Sequence, residues 1–244
     1  VKGITFDEVG NQLAFVAERD SSTKALQKFY KLWYYTAGKD SAEILVTDGT
    51  VGMPIGSTVS ENGNVNFSKD GKKMFFGTAP IQPPKDTSLV DFELARLDIW
   101  TYKDDYLQPM QLKTLSRDLR NSYEAVYFIG DDKVKQLGSE DIETVRLVDE
   151  GNADWVLAQT TAGYRINQQW EGRSSSDVYK MALISGDKKL IVKNNLGFST
   201  ASPAGKFVYW YNPKEQQYFA YDVEKEVIRN ITSKIKEPIY DVLN

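Results

Sequence analysis

Two amino acids are absent from this sequence, and each absence excludes a class of site. The 244 residues contain no cysteine and no histidine. Without histidine, the chain cannot provide the imidazole base of a Ser-His-Asp or Cys-His catalytic site, and without either residue the usual zinc sites are excluded. The lack of cysteine does not identify a redox compartment, because a chain of this length builds a large core without disulfides.

Long apolar runs and an excess of positive charge are also lacking. No apolar segment approaches the roughly 18 to 20 residues that span a bilayer, so we expect no membrane span. Lys and Arg number 30 against 34 Asp and Glu, which gives a net charge of −4. The densest basic cluster, at Lys188, Lys189 and Lys193, has acidic neighbours. We therefore expect no nucleic-acid partner.

Metal-binding patterns are weak. The one compact run of oxygen ligands is SEDIE, residues 139–143, and it lacks the glycine and the regular spacing of a calcium loop. The sequence therefore predicts neither a metal nor a cofactor.

Four segments of the chain have the pattern of a β-hairpin. Each has an aromatic residue in its first half, then a polar turn, then a second half with alternating apolar positions, which is typical of a strand with one buried face. These segments are KLWYYTAGKDSAEILV at 31–46, EAVYFIGDDKVKQL at 124–137, DVYKMALISGDKKLIV at 177–192 and QYFAYDVEKEVIRNI at 217–231.

A repeated turn precedes the hairpins. The copies are FDEVGNQLAFVA from residue 6, FSKDGKKMFFGT from 67 and ASPAGKFVYWYN from 201, with a looser copy, LVDEGNADWVLA, from 147. In the first three, a short strand ends at a Ser or Asp whose side chain caps the turn. Gly10, Gly71 or Gly205 then accepts a positive φ, and an apolar strand follows.

Together these patterns predict an all-β chain, a partial β-propeller of about four blades with four antiparallel strands each. We place the blades at roughly 4–50, 63–138, 142–193 and 196–232, with 233–244 as a tail or the start of another blade. Residues 79–121 interrupt the second blade, have proline-rich ends, and include a strand-like LDIWTY. Long insertions of this kind are often functional or interface elements, and the alternative is an elaborated outer strand with a solvated loop.

The turns FSKDGKKMFF and ASPAGKFVYW resemble the WD-like repeat of TolB-type propellers and of the propeller in the prolyl oligopeptidase (S9-type) family of serine peptidases. LDIWTYKDDYLQPMQ at 97–111 and YRINQQWEGRSSSDVYKM at 164–181 are similar to propeller segments of bacterial dipeptidyl-peptidase and acyl-peptidase relatives. The resemblance covers essentially the whole chain. It implies a propeller that gates peptide access to an α/β-hydrolase domain of the same parent chain, and a periplasmic or extracytoplasmic location.

No catalytic residue is expected in these 244 residues, although the resemblance implies a parent serine peptidase. The nearest approach to a Gly-x-Ser-x-Gly nucleophile elbow is Gly197 to Ala201, where alanine replaces the second glycine. Ser199 lies just before a repeat turn, where a strand is expected. The resemblance therefore matches the accessory domain and not the catalytic one.

Substrate-binding candidates lie in a loop-like stretch around Trp170. Arg165 and Arg173 flank this tryptophan, and a guanidinium group is suited to holding a peptide carboxylate. Tyr164, Trp210 and Tyr211 either line a ligand funnel with Trp170 or pack between blades. We take Arg165, Trp170 and Arg173 as candidates for binding a peptide substrate.

Other functions stay open. A stand-alone TolB-like propeller would bind protein partners through one rim, and an arc of four blades with exposed outer faces would self-associate. A carbohydrate-active propeller would use paired acids, at Asp104 and Asp105 or at Asp131 and Asp132. Those pairs are more typical of solvated turns, and the Ser-Lys-Asp-Gly run at 68–71 is one residue too short for a sialidase-type box.

Overall fold

The computed structural model of the chain describes residues 1–19, 22, 24–84, 87–88, 90, 92–93 and 97–239. They belong to two compact units, 1–136 and 137–244. Each unit contains two antiparallel sheets. The predicted all-β propeller class, with about four blades of antiparallel strands, is confirmed.

The first unit holds two sheets. The first sheet has strand order β1-β2-β3-β4, with these strands at Lys2–Phe6, Gln12–Ala17, Lys31–Thr36 and Glu43–Val46. The second sheet contains β5 to β9, at Ser57–Val59, Asn66–Phe67, Lys73–Pro80, Tyr123–Phe128 and Lys133–Gln136. Its order is β5-β7-β8-β9, and β6 also pairs with β7. The second sheet therefore begins at Ser57, and its first strand is split into β5 and β6.

The second unit repeats this plan. Its first sheet has strand order β10-β11-β12-β13, at Thr144–Arg146, Trp155–Thr160, Ser176–Ala182 and Lys188–Asn195. Its second sheet has order β14-β15-β16-β17, at Ser199–Ala201, Phe207–Asn212, Gln217–Asp222 and Val227–Asn230. All four predicted hairpins are confirmed, as the pairs β3/β4, β8/β9, β12/β13 and β16/β17.

The repeated turn has the same hydrogen bond in three copies. The side-chain oxygen of the residue that ends the first strand accepts the backbone N–H five residues later, which supports the turn as predicted. These bonds join Asp7 Oδ1 to Gln12 N at 2.8 Å, Ser68 Oγ to Lys73 N at 2.9 Å, and Ser202 Oγ to Phe207 N at 3.0 Å. In the looser copy Val148 occupies this position, and its side chain has no oxygen that could accept a hydrogen bond. A 3₁₀ turn follows at Asp149–Gly151.

In each unit a cluster of buried apolar residues lies between the two sheets. In the first unit Leu32 of the first sheet and Phe76 of the second are fully buried in the same cluster. In the second unit Leu157 and Val208 play the corresponding part. Burial of side chains of this size stabilises a fold by about 1.5 to 3 kcal/mol each, so packing of neighbouring sheets is the main source of stability.

Two short helices correct the sequence-based picture. Residues 97–102, LDIWTY, were expected to be strand-like, but they form coil and turn, and helix α1 follows at Gln108–Asp118. Leu97, Ile99 and Trp100 are 78%, 70% and 65% exposed, and no sheet of the described residues includes them. The stretch around Trp170 was expected to be a loop, and it contains helix α2 at Arg165–Glu171. Within the described residues neither helix is long and apolar enough to cross a membrane.

Candidate functional site

Helix α2 lies in the connection between β11 and β12 and carries two of the three predicted substrate-binding residues. It starts after Tyr164, whose side chain provides no cap, and it ends at Gly172. Gly172 has a φ of +68°, in the left-handed region that glycine tolerates, and its N–H donates to the Gln168 carbonyl at 2.9 Å. Because the helix has only seven residues, contacts to the sheet must hold it in place.

Arg165 provides the first of these contacts. Its terminal nitrogen forms an ion pair with the carboxylate of Glu143, and its Nε donates to Thr161 Oγ1 at 3.1 Å. The terminal nitrogen that pairs with Glu143 also donates to the Glu140 carbonyl, at 3.3 Å. The side chains of Arg165 and Glu143 are only 16% and 28% exposed, so water screens this pair weakly.

Glu143 also accepts hydrogen bonds from Thr161, which lies between β11 and helix α2. Its Oε2 accepts the Thr161 backbone N–H at 2.9 Å, and its Oε1 accepts the Thr161 hydroxyl at 2.8 Å. Glu143 directly precedes β10. It therefore connects β10 to Thr161, just after β11, and to Arg165 in the first turn of α2. No sequence pattern indicates this role, because Glu143 stands 22 residues from Arg165.

Asp177 supports α2 from a second direction. Its Oδ1 accepts the Tyr164 hydroxyl at 2.7 Å and the Asn194 backbone N–H at 2.8 Å. Burial raises the pKa of Tyr164 to about 12, with help from the hydrogen bond to Asp177. The phenol is thus a constant donor at neutral pH, and it ties the start of α2 to β12 and β13.

The opposite face of α2 is open. Ile166 and Trp170, four residues apart and so on the same side of the helix, are 50% and 83% exposed. Arg173 is exposed as well, and its side chain has no bonded partner in the described part of the chain. A tryptophan held on a braced helix beside an unpaired guanidinium is suited to binding a peptide through an apolar and an anionic contact. Arg165, in contrast, is committed to Glu143.

The remaining aromatic candidates are divided. Trp210 is 4% exposed and stacks on Phe219 with ring centroids 5.9 Å apart, so it belongs to the core of the second unit. Tyr211 is half-buried and contacts Tyr218 at 5.0 Å between centroids. Trp210 therefore packs within one sheet and does not line a ligand funnel.

The alternative catalytic candidates occupy structural positions. Ser199 is fully buried in β14, as expected, and its Oγ accepts the Asn195 side-chain amide at 2.8 Å. Asp132 lies in a hairpin turn and accepts the Tyr127 hydroxyl at 2.6 Å. Asp104 and Asp105 lie in coil before α1 and not on a strand. Among the described residues, no three acidic side chains are grouped as metal ligands.

Helix α1 is the second unusual element. None of its 11 residues is buried. Leu112, Leu115 and Leu119, at the helix and just after it, are 56%, 49% and 54% exposed and follow the spacing of one helical face. A helix of this length is only marginally stable in water, so an apolar stripe without cover indicates a surface for another molecule or domain.

Comparisons with known proteins establish the fold class. No family model and no curated protein matches the chain. Among solved structures, the β-propeller domain of the Trilobed protease from Pyrococcus furiosus matches with a TM-score of 0.50 and 9% identity, over 98% of this chain and 60% of that one. Porphyromonas gingivalis dipeptidyl peptidase 4 matches with a TM-score of 0.50 and 15% identity, over 94% of this chain and 32% of that one.

TolB from Acinetobacter baumannii matches with a TM-score of 0.37 and 14% identity, over 93% of this chain and 42% of that one. The chain therefore spans less than two thirds of the length of each of these solved chains. It has the β-propeller fold found in domains of S9-type peptidases, and the predicted resemblance is confirmed at the level of the fold.

Proposed function

We propose that this chain is a non-catalytic propeller domain that docks peptide substrates for a serine peptidase, whose α/β-hydrolase domain lies outside these 244 residues. The observation that carries the proposal is the exposed Trp170, 83% accessible on a helix that Arg165 and Tyr164 fasten to the sheet. Large aromatic side chains on rigid elements lose little entropy on binding, and they dominate many protein interfaces.

The absence of histidine supports a role without catalysis, because no residue here can act as the base of a Ser-His-Asp site. The similar solved propellers support a peptidase domain as the partner. Two of them carry names of peptidases, and this chain covers 60% and 32% of their lengths. In this role Trp170 provides the apolar contact and Arg173 pairs with a peptide carboxylate, while Arg165 positions the helix.

The experiment is equilibrium binding of a fluorescent peptide pool, followed by anisotropy, to the wild-type chain and to Trp170→Ala. We expect the substitution to weaken binding by about tenfold or more, as for a central interface tryptophan. Trp100→Ala is the matched control, because Trp100 is also exposed, at 65%, but lies outside α2. Equal affinity of Trp170→Ala and wild type would exclude the α2 face as the peptide site.

A second function, a TolB-like propeller that binds a protein partner, is favoured by the uncovered apolar stripe of α1. The double variant Leu112→Glu/Leu115→Glu places two charges on this stripe and should abolish such binding or self-association. Size-exclusion chromatography over a range of concentrations measures the latter. A monomer of unchanged elution volume in both proteins would reject self-association through α1.

The reading frame that encodes the chain separates the two functions. Under the peptidase proposal it also encodes a hydrolase domain with a Gly-x-Ser-x-Gly elbow and a later histidine. Under the second function it encodes propeller repeats alone.

A further inference from the structure

A polar pocket lies in the first unit, between the end of α1 and the second sheet. Its volume is about 490 Å³. The side chains that define its chemistry are Asn62, Asn64, Arg117, Arg120, Ser122 and Glu124. None of these residues belongs to the α2 site, and the sequence analysis singled out none of them.

The floor of the pocket contains an unpaired hydroxyl. Ser122 Oγ is buried and has no hydrogen-bond partner in the described chain. Gly63 and Gly77 make room for it: a Cβ added at Gly63 would lie 2.6 Å from this oxygen, and one added at Gly77 would overlap it. A buried hydroxyl without a partner costs about 1 to 3 kcal/mol. The two glycines thus make room for the Ser122 hydroxyl itself, which no group of the described chain satisfies.

The wall of the pocket contains two arginines with unused hydrogen-bond donors. Arg120 Nε donates to the Ser116 carbonyl at 2.8 Å, and Arg117 Nε lies 3.5 Å from Asp118 Oδ1. In the part of the chain that the structure describes, no further bond engages the terminal nitrogens of either guanidinium. A guanidinium with free terminal nitrogens is well suited to an oxyanion, because it donates two parallel hydrogen bonds.

Below about pH 7, Glu124 is mostly protonated and does not supply that anion. Burial alone raises its pKa to about 7, and neither arginine lowers it. Its neighbours add no charge: Gly77 opposes it on β7, and Gln136 of β9 donates to its backbone carbonyl at 3.3 Å. Asn62 and Asn64 are neutral, so Arg117 and Arg120 are the charged groups among the other lining residues. In its protonated form, the carboxyl is a donor that leaves both positive charges available.

We propose that this pocket binds a small oxyanion, with Arg117 and Arg120 pairing with its charge and with the Ser122 hydroxyl and the Glu124 carboxyl as further donors. Four donors of this kind match the acceptors of a sulfate or phosphate group, and also of a carboxylate. The inference is independent of the peptide-docking role, since it uses other residues in the other unit.

The test is an NMR titration of the ¹⁵N-labelled chain with sulfate and, separately, with acetate, at constant ionic strength maintained with chloride. Sulfate keeps its charge between pH 6 and pH 8, so any pH dependence belongs to the protein. We expect saturable shifts at the amides of Ser122 and Glu124. If sulfate binds and acetate does not, the site accepts tetrahedral oxyanions; if acetate also binds, it accepts carboxylates as well.

Three variants locate the site. The double variant Arg117→Gln/Arg120→Gln changes exposed side chains and should weaken binding by about tenfold or more. Arg229→Gln, an exposed arginine in the other unit, is the matched control and should leave the affinity unchanged. Ser122→Ala removes the unpaired hydroxyl and should weaken binding by about fivefold without lowering stability.

The pH dependence is the most specific result. With a Glu124 pKa of about 7, the protonated fraction falls about tenfold between pH 6 and pH 8, and sulfate affinity should fall with it. Glu124→Gln should bind sulfate equally at both values. The proposal is overturned if neither anion gives saturable shifts, or if the arginine double variant binds as wild type does, which would mean an adventitious ion only.

Discussion

The Tyr164 hydroxyl donates to Asp177 Oδ1 at 2.7 Å, across the junction between helix α2 and strand β12. The same oxygen accepts the backbone N–H of Asn194, at 2.8 Å. One carboxylate thus joins the helix to two strands. With the Arg165–Glu143 ion pair, this contact explains how a seven-residue helix without a side-chain cap stays folded.

Tyr164→Phe removes this hydroxyl and leaves the ring. We expect the free energy of local opening of α2 to fall by about 1 to 2 kcal/mol, because a hydrogen bond to a charged acceptor is lost. Hydrogen exchange at the amides of Gln168 and Gly172, which bond within this helix turn, should accelerate about tenfold. Tyr209→Phe, at an exposed tyrosine on β15, is the control and should change neither rate. Unchanged exchange in Tyr164→Phe would show that Asp177 does not hold the helix.

Arg165 and Arg173 should differ in their effect on stability, although both were candidates for peptide binding. Arg165→Gln leaves Glu143 without its ion pair at a site where both side chains are mostly covered. We expect a loss of about 1 to 2 kcal/mol in the free energy of unfolding. Arg173→Gln, at an exposed position, should change it by less than about 0.5 kcal/mol. Urea denaturation measures both values, and equal effects would contradict the positioning role of Arg165.

The capping serines of the repeated turn offer a matched pair. Ser68 and Ser202 make the same bond to a backbone N–H, but Ser68 is fully buried, whereas Ser202 is partly exposed. Replacing Ser68 with alanine removes a fully buried hydroxyl and leaves the partly buried Lys73 N–H without this acceptor. We expect a cost of about 2 kcal/mol for Ser68→Ala and about 1 kcal/mol for Ser202→Ala, measured by thermal unfolding. The reverse order would contradict the account of this turn.

Glu124 should make stability depend on pH. Its folded pKa of about 7 lies above the ordinary value of 4.5, so the folded state binds the proton more tightly than the unfolded state does. Proton binding by Glu124 stabilises the folded state fully below about pH 4.5, and this contribution is lost as pH rises to about 7 and just above. Between pH 5 and pH 8 the wild type should lose about 2 kcal/mol relative to Glu124→Gln. Parallel pH profiles of the two proteins would show that Glu124 titrates normally.

Local patterns in the sequence predicted the sheets because the interactions that define them are local. The side chains of Ser68 and Ser202 reach a backbone N–H five residues away, and the apolar residues of each hairpin alternate along the strand. The helices left no comparable pattern. Neither α1 nor α2 starts with a capping side chain, and α2 is only seven residues long. The aromatic and β-branched residues of LDIWTY favour a strand, but none of the strands that the structure describes pairs with them.

The candidate sites depended on contacts between distant parts of the chain. Trp170 was identified because aromatic and basic residues cluster around it. Glu143, which positions the helix, lies 22 residues from Arg165, and no spacing rule connects them. The oxyanion pocket was not predicted at all. It requires Gly77 of β7 to lie opposite Glu124 of β8, and that register follows from the folded sheet.

The central claim is that the chain binds peptides without cleaving them. The most direct measurement is mass spectrometry of a defined peptide library after incubation with the purified chain, together with the anisotropy titration of the same library. The account predicts saturable binding that depends on Trp170, with every peptide recovered intact. Cleavage products that disappear in Ser199→Ala would contradict it, because they would place a nucleophile in a strand that the structure shows as buried.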